Sequence, residues 1–187
     1  MSRLPIVSAV VLFAVVLFPA AASAQDADWP EADPADVATT EAIVEAVYEA
    51  ISGPSTEPRD WDRFRSLHHP AARLMPTTTT PEGERVVLVF TPDEYADQAA
   101  SIFRDAPMFE GKGFYEVEIA RRVERYGSMA HVWSTYESRY APDEAAYARG
   151  INSFQLLWDG DRWHILSIFW HQENDTSPIP SPYLPEE

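Results

Sequence analysis

Residues 148–173 read ARGINSFQLLWDGDRWHILSIFWHQE, two runs rich in aromatic and β-branched side chains around the polar tetrad Asp159-Gly160-Asp161-Arg162. Gly160 can take a positive φ without strain, so this pattern predicts a β-hairpin. A long antiparallel hairpin that closes a domain whose earlier part is helical leaves few architectures. The best match is a curved sheet with its helices gathered on one side.

The N-terminus is an address rather than part of that fold. Arg3 precedes an uncharged apolar run over residues 6–18, Pro19 breaks the run, and Ala22-Ser23-Ala24 forms a small-x-small cleavage site before Gln25. The run is short for a membrane span. These features predict a signal peptide over residues 1–24, cleavage between Ala24 and Gln25, and a periplasmic or secreted product. The alternative is an uncleaved N-terminal anchor. The chain has no cysteine, which excludes a lipid-modified cysteine and any disulfide, so an exported product must be held together by its core. Loss of residues 1–24 removes one Arg and no acid. That leaves 30 acidic against 13 basic residues, a formal charge of −17. A surface this acidic argues against a nucleic-acid partner and against docking on anionic lipid.

Residues 25–36 (QDADWPEADPAD) are acidic and contain prolines, and are expected to be a disordered lead-in. Residues 37–173 form the expected domain. A first helix carries Ile43, Val47 and Ile51 on one face. A second, near Pro58, buries Trp61, Phe64 and Leu67 and closes at His68-His69-Pro70. A short strand at residues 73–76 and another at 85–90 precede a third helix. Thr91-Pro92-Asp93-Glu94 starts that helix with a capping box, and it turns Tyr95, Ala99, Ile102 and Phe103 to the core. Four long strands follow, at residues 113–126, 128–140, 145–158 and 162–173. The Pro-rich tail 174–187 is expected to lie extended on the surface.

Helices first and antiparallel strands last make an α+β fold, and a bent sheet needs helices and large aromatics to fill its concavity. Residues 64–74 (FRSLHHPAARL), 118–139 (EIARRVERYGSMAHVWSTYESR) and 149–173 carry a specific likeness. Through them the chain resembles the NTF2-like (nuclear transport factor 2-like, SnoaL-like) superfamily, and within it exported bacterial members of unassigned activity. The resemblance implies an NTF2-like cone, three N-terminal helices packed on a strongly curved, mostly antiparallel sheet. It also implies a pocket and sheet-to-sheet homodimers. It does not imply one activity, because the superfamily mixes isomerases, dehydratases, cyclases, epoxide hydrolases and non-catalytic binding domains.

The residues that could carry chemistry are sparse. His68 and His69 are adjacent and diverge, and His164 and His171 lie an odd number of residues apart on one strand. No metal site and no cofactor is therefore expected. His68 is the candidate general base at the cone mouth, with Tyr136 as hydrogen-bond donor; the plainer reading of His68 is a helix C-terminal histidine. On the strand at residues 128–140, phase groups Ala130, Val132, Ser134, Tyr136 and Ser138 on one face. The other face holds His131, Trp133, Thr135, Glu137 and Arg139, and could meet a partner subunit. Arg149, Ser153 and Gln155 share a phase and either face outward or gather round a ligand. Glu116 and Glu118 alternate on a strand and could pair with Arg121 and Arg122. The expected ligand-binding set is Phe64, Trp133, Ser134, Arg149, Ser153, Gln155 and Trp170, around a small apolar or aromatic ligand. No nucleophile elbow, phosphate loop or catalytic carboxylate pair appears. The expectation is a binding or scaffold domain, with a cofactor-free acid–base enzyme as the alternative.

Overall fold

The computed structural model describes residues 29–186. The expected signal peptide and its cleavage site lie outside the described residues. In chain order the elements are α1 (Thr40–Ile51), α2 (Trp61–Ser66), β1 (His68–Thr79), β2 (Arg85–Val87), α3 (Pro92–Asp105), β3 (Tyr115–Tyr126), β4 (Met129–Arg139), β5 (Ala148–Trp158) and β6 (Trp163–Gln172), with 3-10 turns at Pro107–Phe109 and Ser181–Tyr183. Among the described residues no helix is long and apolar enough to cross a membrane.

Local chemistry starts each element. The Thr39 side chain accepts from the Ala42 N–H to cap α1, and Asp60 accepts from Arg63 N–H to cap α2. Thr91 and Glu94 close the expected capping box on α3, with Pro92 in its first turn. In the β5–β6 turn, Asp159 accepts from the N–H groups of Asp161 and Arg162, and Gly160 takes φ 111°. The hairpin closes at Trp158 opposite Trp163, as the turn chemistry predicts.

The six strands form one curved sheet in the order β2-β1-β6-β5-β4-β3, antiparallel except where β1 runs parallel to β6. The α+β cone with about three helices is thus present. Its core lies between the helices and the concave face: Ile43, Val44 and Val47 from α1, Phe64 and Leu67 from α2, and Val132, Phe154, Leu156 and Ile165 from the sheet. Trp163 is 7% exposed, tilted against Trp158 at 5.6 Å between ring centroids, with the Arg125 guanidinium over its ring.

Four details differ from the sequence expectation. β1 begins at His68 rather than Arg73, because the chain turns directly out of α2 into parallel pairing, His68 opposite Ile165. Ile102 is 43% exposed, so α3 is narrower at its apolar face than its spacing suggests. Residues 29–36 are not a loose lead-in. Trp29 Nε1 donates to the His68 carbonyl at 3.1 Å, Arg63 makes a two-pronged pair with Asp36 at 2.7 and 2.9 Å, and Val37 is 3% exposed. Finally, strands β3 and β6 each hold one residue more than their partners oppose. Register slips at Ile119, between Glu118↔Tyr136 and Ala120↔Thr135, and at Leu166, between Gln155↔Ser167 and Leu156↔Ile165. Each bulge switches the phase of its strand. Trp163 and Ile165 therefore share the concave face with Ile168 and Trp170, whereas strict alternation would group them with Phe169 and His171.

Trp163→Ala is expected to destabilise the fold by ~3–5 kcal/mol, the cost of emptying a packed aromatic site. Denaturant titration checks this, and a loss below ~1 kcal/mol would place Trp163 outside the core.

Candidate functional site

Under the helices the concave face carries polar groups where a core would ordinarily be apolar. Asn152 Nδ2 donates to the Tyr48 hydroxyl at 3.0 Å, and Tyr48 Oη lies 2.6 Å from Ser134 Oγ. Ser134 Oγ donates in turn to Glu118, whose carboxylate takes Arg121 Nε at 2.8 and 2.9 Å. Because Asn152 fills the phenol's acceptor position and Ser134 gives its proton to Glu118, the Tyr48 proton goes to Ser134. The chain of donors runs one way, from Asn152 to the carboxylate that Arg121 pairs with. Glu118 and Arg121 are three apart and would face opposite sides of a regular strand; the Ile119 bulge turns both inward.

Glu116, two residues before Glu118, is different. It is half-buried, its Oε2 accepts from Ser138 Oγ at 3.0 Å, and its backbone is pinned by Ser52, which accepts from the Glu116 N–H at 3.0 Å. Among the described residues no Arg or Lys pairs with it. Desolvation lifts its pKa from 4.5 to about 7, opposed by hydrogen bonds from Ser138 and Asn152. Its charge is felt by Tyr48, Tyr95, Tyr136 and Tyr147, whose hydroxyls burial first, and Glu116 second or third, hold well above the usual phenol range. Tyr136 is 5% exposed, and among the described residues its hydroxyl has no hydrogen-bond partner. It lies over Gly150, where a Cβ would meet the Tyr136 hydroxyl and stand 2.6 Å from the His171 carbonyl oxygen. Gly150 thus makes the space for Tyr136 to lie flat along the sheet.

An aromatic cluster starts two residues before Glu116, at Phe114. Phe114 stacks on Phe103 at 4.8 Å, Phe109 meets Phe114 and Tyr140 edge-on, and Tyr140 stacks on Tyr147 at 4.2 Å. Trp61, Phe103, Phe109 and Phe114 line an open groove of about 820 Å³, with Arg59 and Lys112 at its rim. The groove can take an apolar or aromatic group; Glu116 and Tyr136 are not among its lining residues, and Glu116 is a carboxyl that can exchange a proton near neutral pH.

The expected site residues divide across the sheet. Phe64, His68, Ser134, Tyr136 and Trp170 lie on the helical side, with Trp170 edge-on to Tyr95 at 5.8 Å. Phe64 is core, 1% exposed, stacked on Tyr95 at 5.5 Å. Trp133, Arg149, Ser153 and Gln155 lie on the opposite, convex side. There Ser153 takes a hydrogen bond with His131 Nε2 at 2.9 Å, Arg149 pairs with Glu173 at 2.8 Å, and Gln155 is exposed. Of the two readings left open for the polar phase of β5, the outward one is what the register gives, and Asn152 is the polar residue of that strand that turns in. His68 is not at a mouth. It is 1% exposed, its Nδ1 lies 2.8 Å from the Phe64 carbonyl, its Nε2 is buried without a partner, and burial depresses its pKa to about 4. A neutral ring locked in the core cannot serve as a base for a substrate. Sequence reasoning missed Glu116 because a second acid beside Arg121 and Arg122 looks paired. In fact Arg122 faces the other side, over the Tyr183 ring. Among the described residues no three His, Asp or Glu side chains are grouped to hold a metal ion.

No protein-family model matches the chain, and no curated protein matches it in sequence. Solved structures match its fold. An NTF2-like protein of unknown function from Pseudomonas putida superposes with a TM-score of 0.53 at 10% identity, covering 75% of this chain and 89% of that one. A protein of unknown function with a cystatin-like fold from Nostoc punctiforme gives 0.53 at 8% identity, over 71% and 87% of the two chains. A putative calcium/calmodulin-dependent protein kinase type II association domain from Thiobacillus denitrificans gives 0.51 at 14%, over 73% and 96%. At these identities the likeness establishes the NTF2-like fold and nothing finer.

The pKa of Glu116 yields a pH prediction. Its native value lies above the ordinary 4.5, so the folded state keeps the proton longer than the unfolded chain does. The stability this gives is fully present below 4.5 and lost as pH rises through about 7. Glu116→Gln should therefore gain stability relative to the parent between pH 5 and pH 8. Urea titrations at both pH values measure the gap, and a gap that does not widen would mean the carboxyl is well solvated.

Proposed function

We propose that the chain is an exported small-molecule-binding domain whose ligand enters the concave interior and is read by Glu116, Tyr136 and the aromatic cluster. The observation that carries this reading is a desolvated carboxyl with no cationic partner among the described residues, on the same concave face as the Tyr136 phenol. Desolvating a carboxyl costs free energy that a bound hydrogen-bond donor would offset. The neighbouring chain from Asn152 to Arg121 is already satisfied and fixes the floor of the site. Export rests on the features of residues 1–24.

A second reading is favoured by one feature, the titration of Glu116 near neutrality. A carboxyl at about 7 is matched to general acid–base work, and Tyr136 is placed to donate to a developing oxyanion. In that reading the base is Glu116 and not a histidine, and the reaction is a cofactor-free isomerisation, dehydration or cyclisation.

Native mass spectrometry of the protein purified from its own cell envelope tests both. A mass starting at Gln25 with a small-molecule adduct is the expected result; an uncleaved mass would sink export, and an empty protein would count against the pocket. Glu116→Gln separates the two readings. In a binding protein it should weaken the adduct at least tenfold, ~1.4 kcal/mol. In an enzyme it should instead trap a bound species that the parent turns over.

A further inference from the structure

The convex face of the sheet is covered from within the chain. Strand register lines up Trp133, Ser153 and Phe169 as one cross-strand row and Thr135, Ile151 and His171 as the next. Residues 174–186 cross these rows. The Glu173 carboxylate holds the start of the tail, taking the Ile179 N–H at 2.9 Å on one oxygen and Arg149 at 2.8 Å on the other. Pro178 and Pro180 roof a cleft of about 230 Å³ floored by Trp133, Ile151 and Phe169. At the Ser181–Tyr183 turn the Tyr183 carbonyl accepts from Thr135 Oγ1 at 2.6 Å, and the Tyr183 ring meets Trp133 edge-on at 5.7 Å with Arg122 over its face. As a result Thr135, on the outer side of a central strand, is only 1% exposed.

We infer that the tail is an intramolecular cap on a self-association surface, so that residues 174–186 and a second copy of this chain compete for Trp133, Thr135 and Ile151. Two observations name the second copy as the competing occupant. The chain as a whole carries −16, so most of its faces repel a copy of themselves. The convex face is locally balanced, with Arg122, Arg139 and Arg149 set among Glu124, Glu137 and Glu173, and two of the arginines are already ion-paired there. Beside the tail this face also leaves apolar surface open, Phe169 at 43% and Val117 at 40% exposure. A sheet face with alternating apolar rows and neutral charge fits another like it. The cap itself is one stretch of chain with four prolines, which cannot join the strand ladder and is held by few bonds. It is weak enough to be displaced and stiff enough to dock at small entropic cost. The homodimer expected from the resemblance is then the state of the uncapped chain.

Analytical ultracentrifugation over a concentration series tests this on the chain beginning at Gln25. The full chain is expected to be monomeric, and the chain ending at Glu173 to dimerise at least tenfold more tightly. A synthetic peptide of residues 174–187, added in trans, should dissociate that dimer. Should the shortened chain fail to fold, the full-length double variant Ile179→Ala with Tyr183→Ala loosens the cap from the tail's side alone, and its dimerisation must strengthen in the same direction. Two outcomes overturn the inference: a full chain that dimerises as tightly as the shortened one or the double variant, or a folded, uncapped chain that stays monomeric.

Discussion

Two inserted residues decide what this sheet encloses. Side chains on a strand alternate faces, so every pairing is fixed in phase until a residue is added. Ile119 is such an addition, and it brings Glu118 and Arg121 to the same side; Leu166 is another, and it hands the concave face from Trp163 and Ile165 to Ile168 and Trp170. Without the first, Arg121 would leave Glu118 buried and unpaired, and the donor chain from Asn152 through Tyr48 and Ser134 would end on an uncompensated charge. Without the second, Trp170 would leave the helices and Phe169 would enter them. The helices lie over the concave face, and the bulges choose what they are packed against.

This is also where sequence reasoning stops being informative. The hairpin around Gly160, the cap at Thr91 and the order of helices and strands follow from turn chemistry and periodicity, which are local, and the resemblance supplies the NTF2-like architecture. The inward face of β4 follows as well, since Ala130, Val132, Ser134 and Tyr136 keep strict alternation. A bulge leaves no such mark, because Ile119 and Leu166 are ordinary strand residues. The polar phase of Arg149, Ser153 and Gln155 suggested a pocket, yet these residues face outward, and it is Asn152 between them that enters the interior. His68 looked reachable because a helix end was expected beside it. In fact the chain enters β1 at that residue, which carries the ring into the core.

The two carboxylates of β3 show how position alone assigns roles. Glu118 lies where Arg121 and Ser134 converge and is a structural anion. Glu116 lies two residues nearer the aromatic cluster, where only hydroxyls and an amide reach it, and desolvation leaves it poised to titrate. The geometric difference is the guanidinium that pairs with one and is absent from the other.

The parallel pairing of β1 with β6 has a bearing on how the chain is made. His68 and Ile165 meet across roughly a hundred residues, so closing that loop carries a large entropic cost before any contact rewards it. The β3–β4 and β5–β6 hairpins are local and can form on their own, but β1 has no partner on its inner edge until β6 exists. Until then the helices have no complete surface to lie on. Assembly therefore waits for almost the last residue of the domain, which keeps the chain open and threadable until its C-terminal end has arrived.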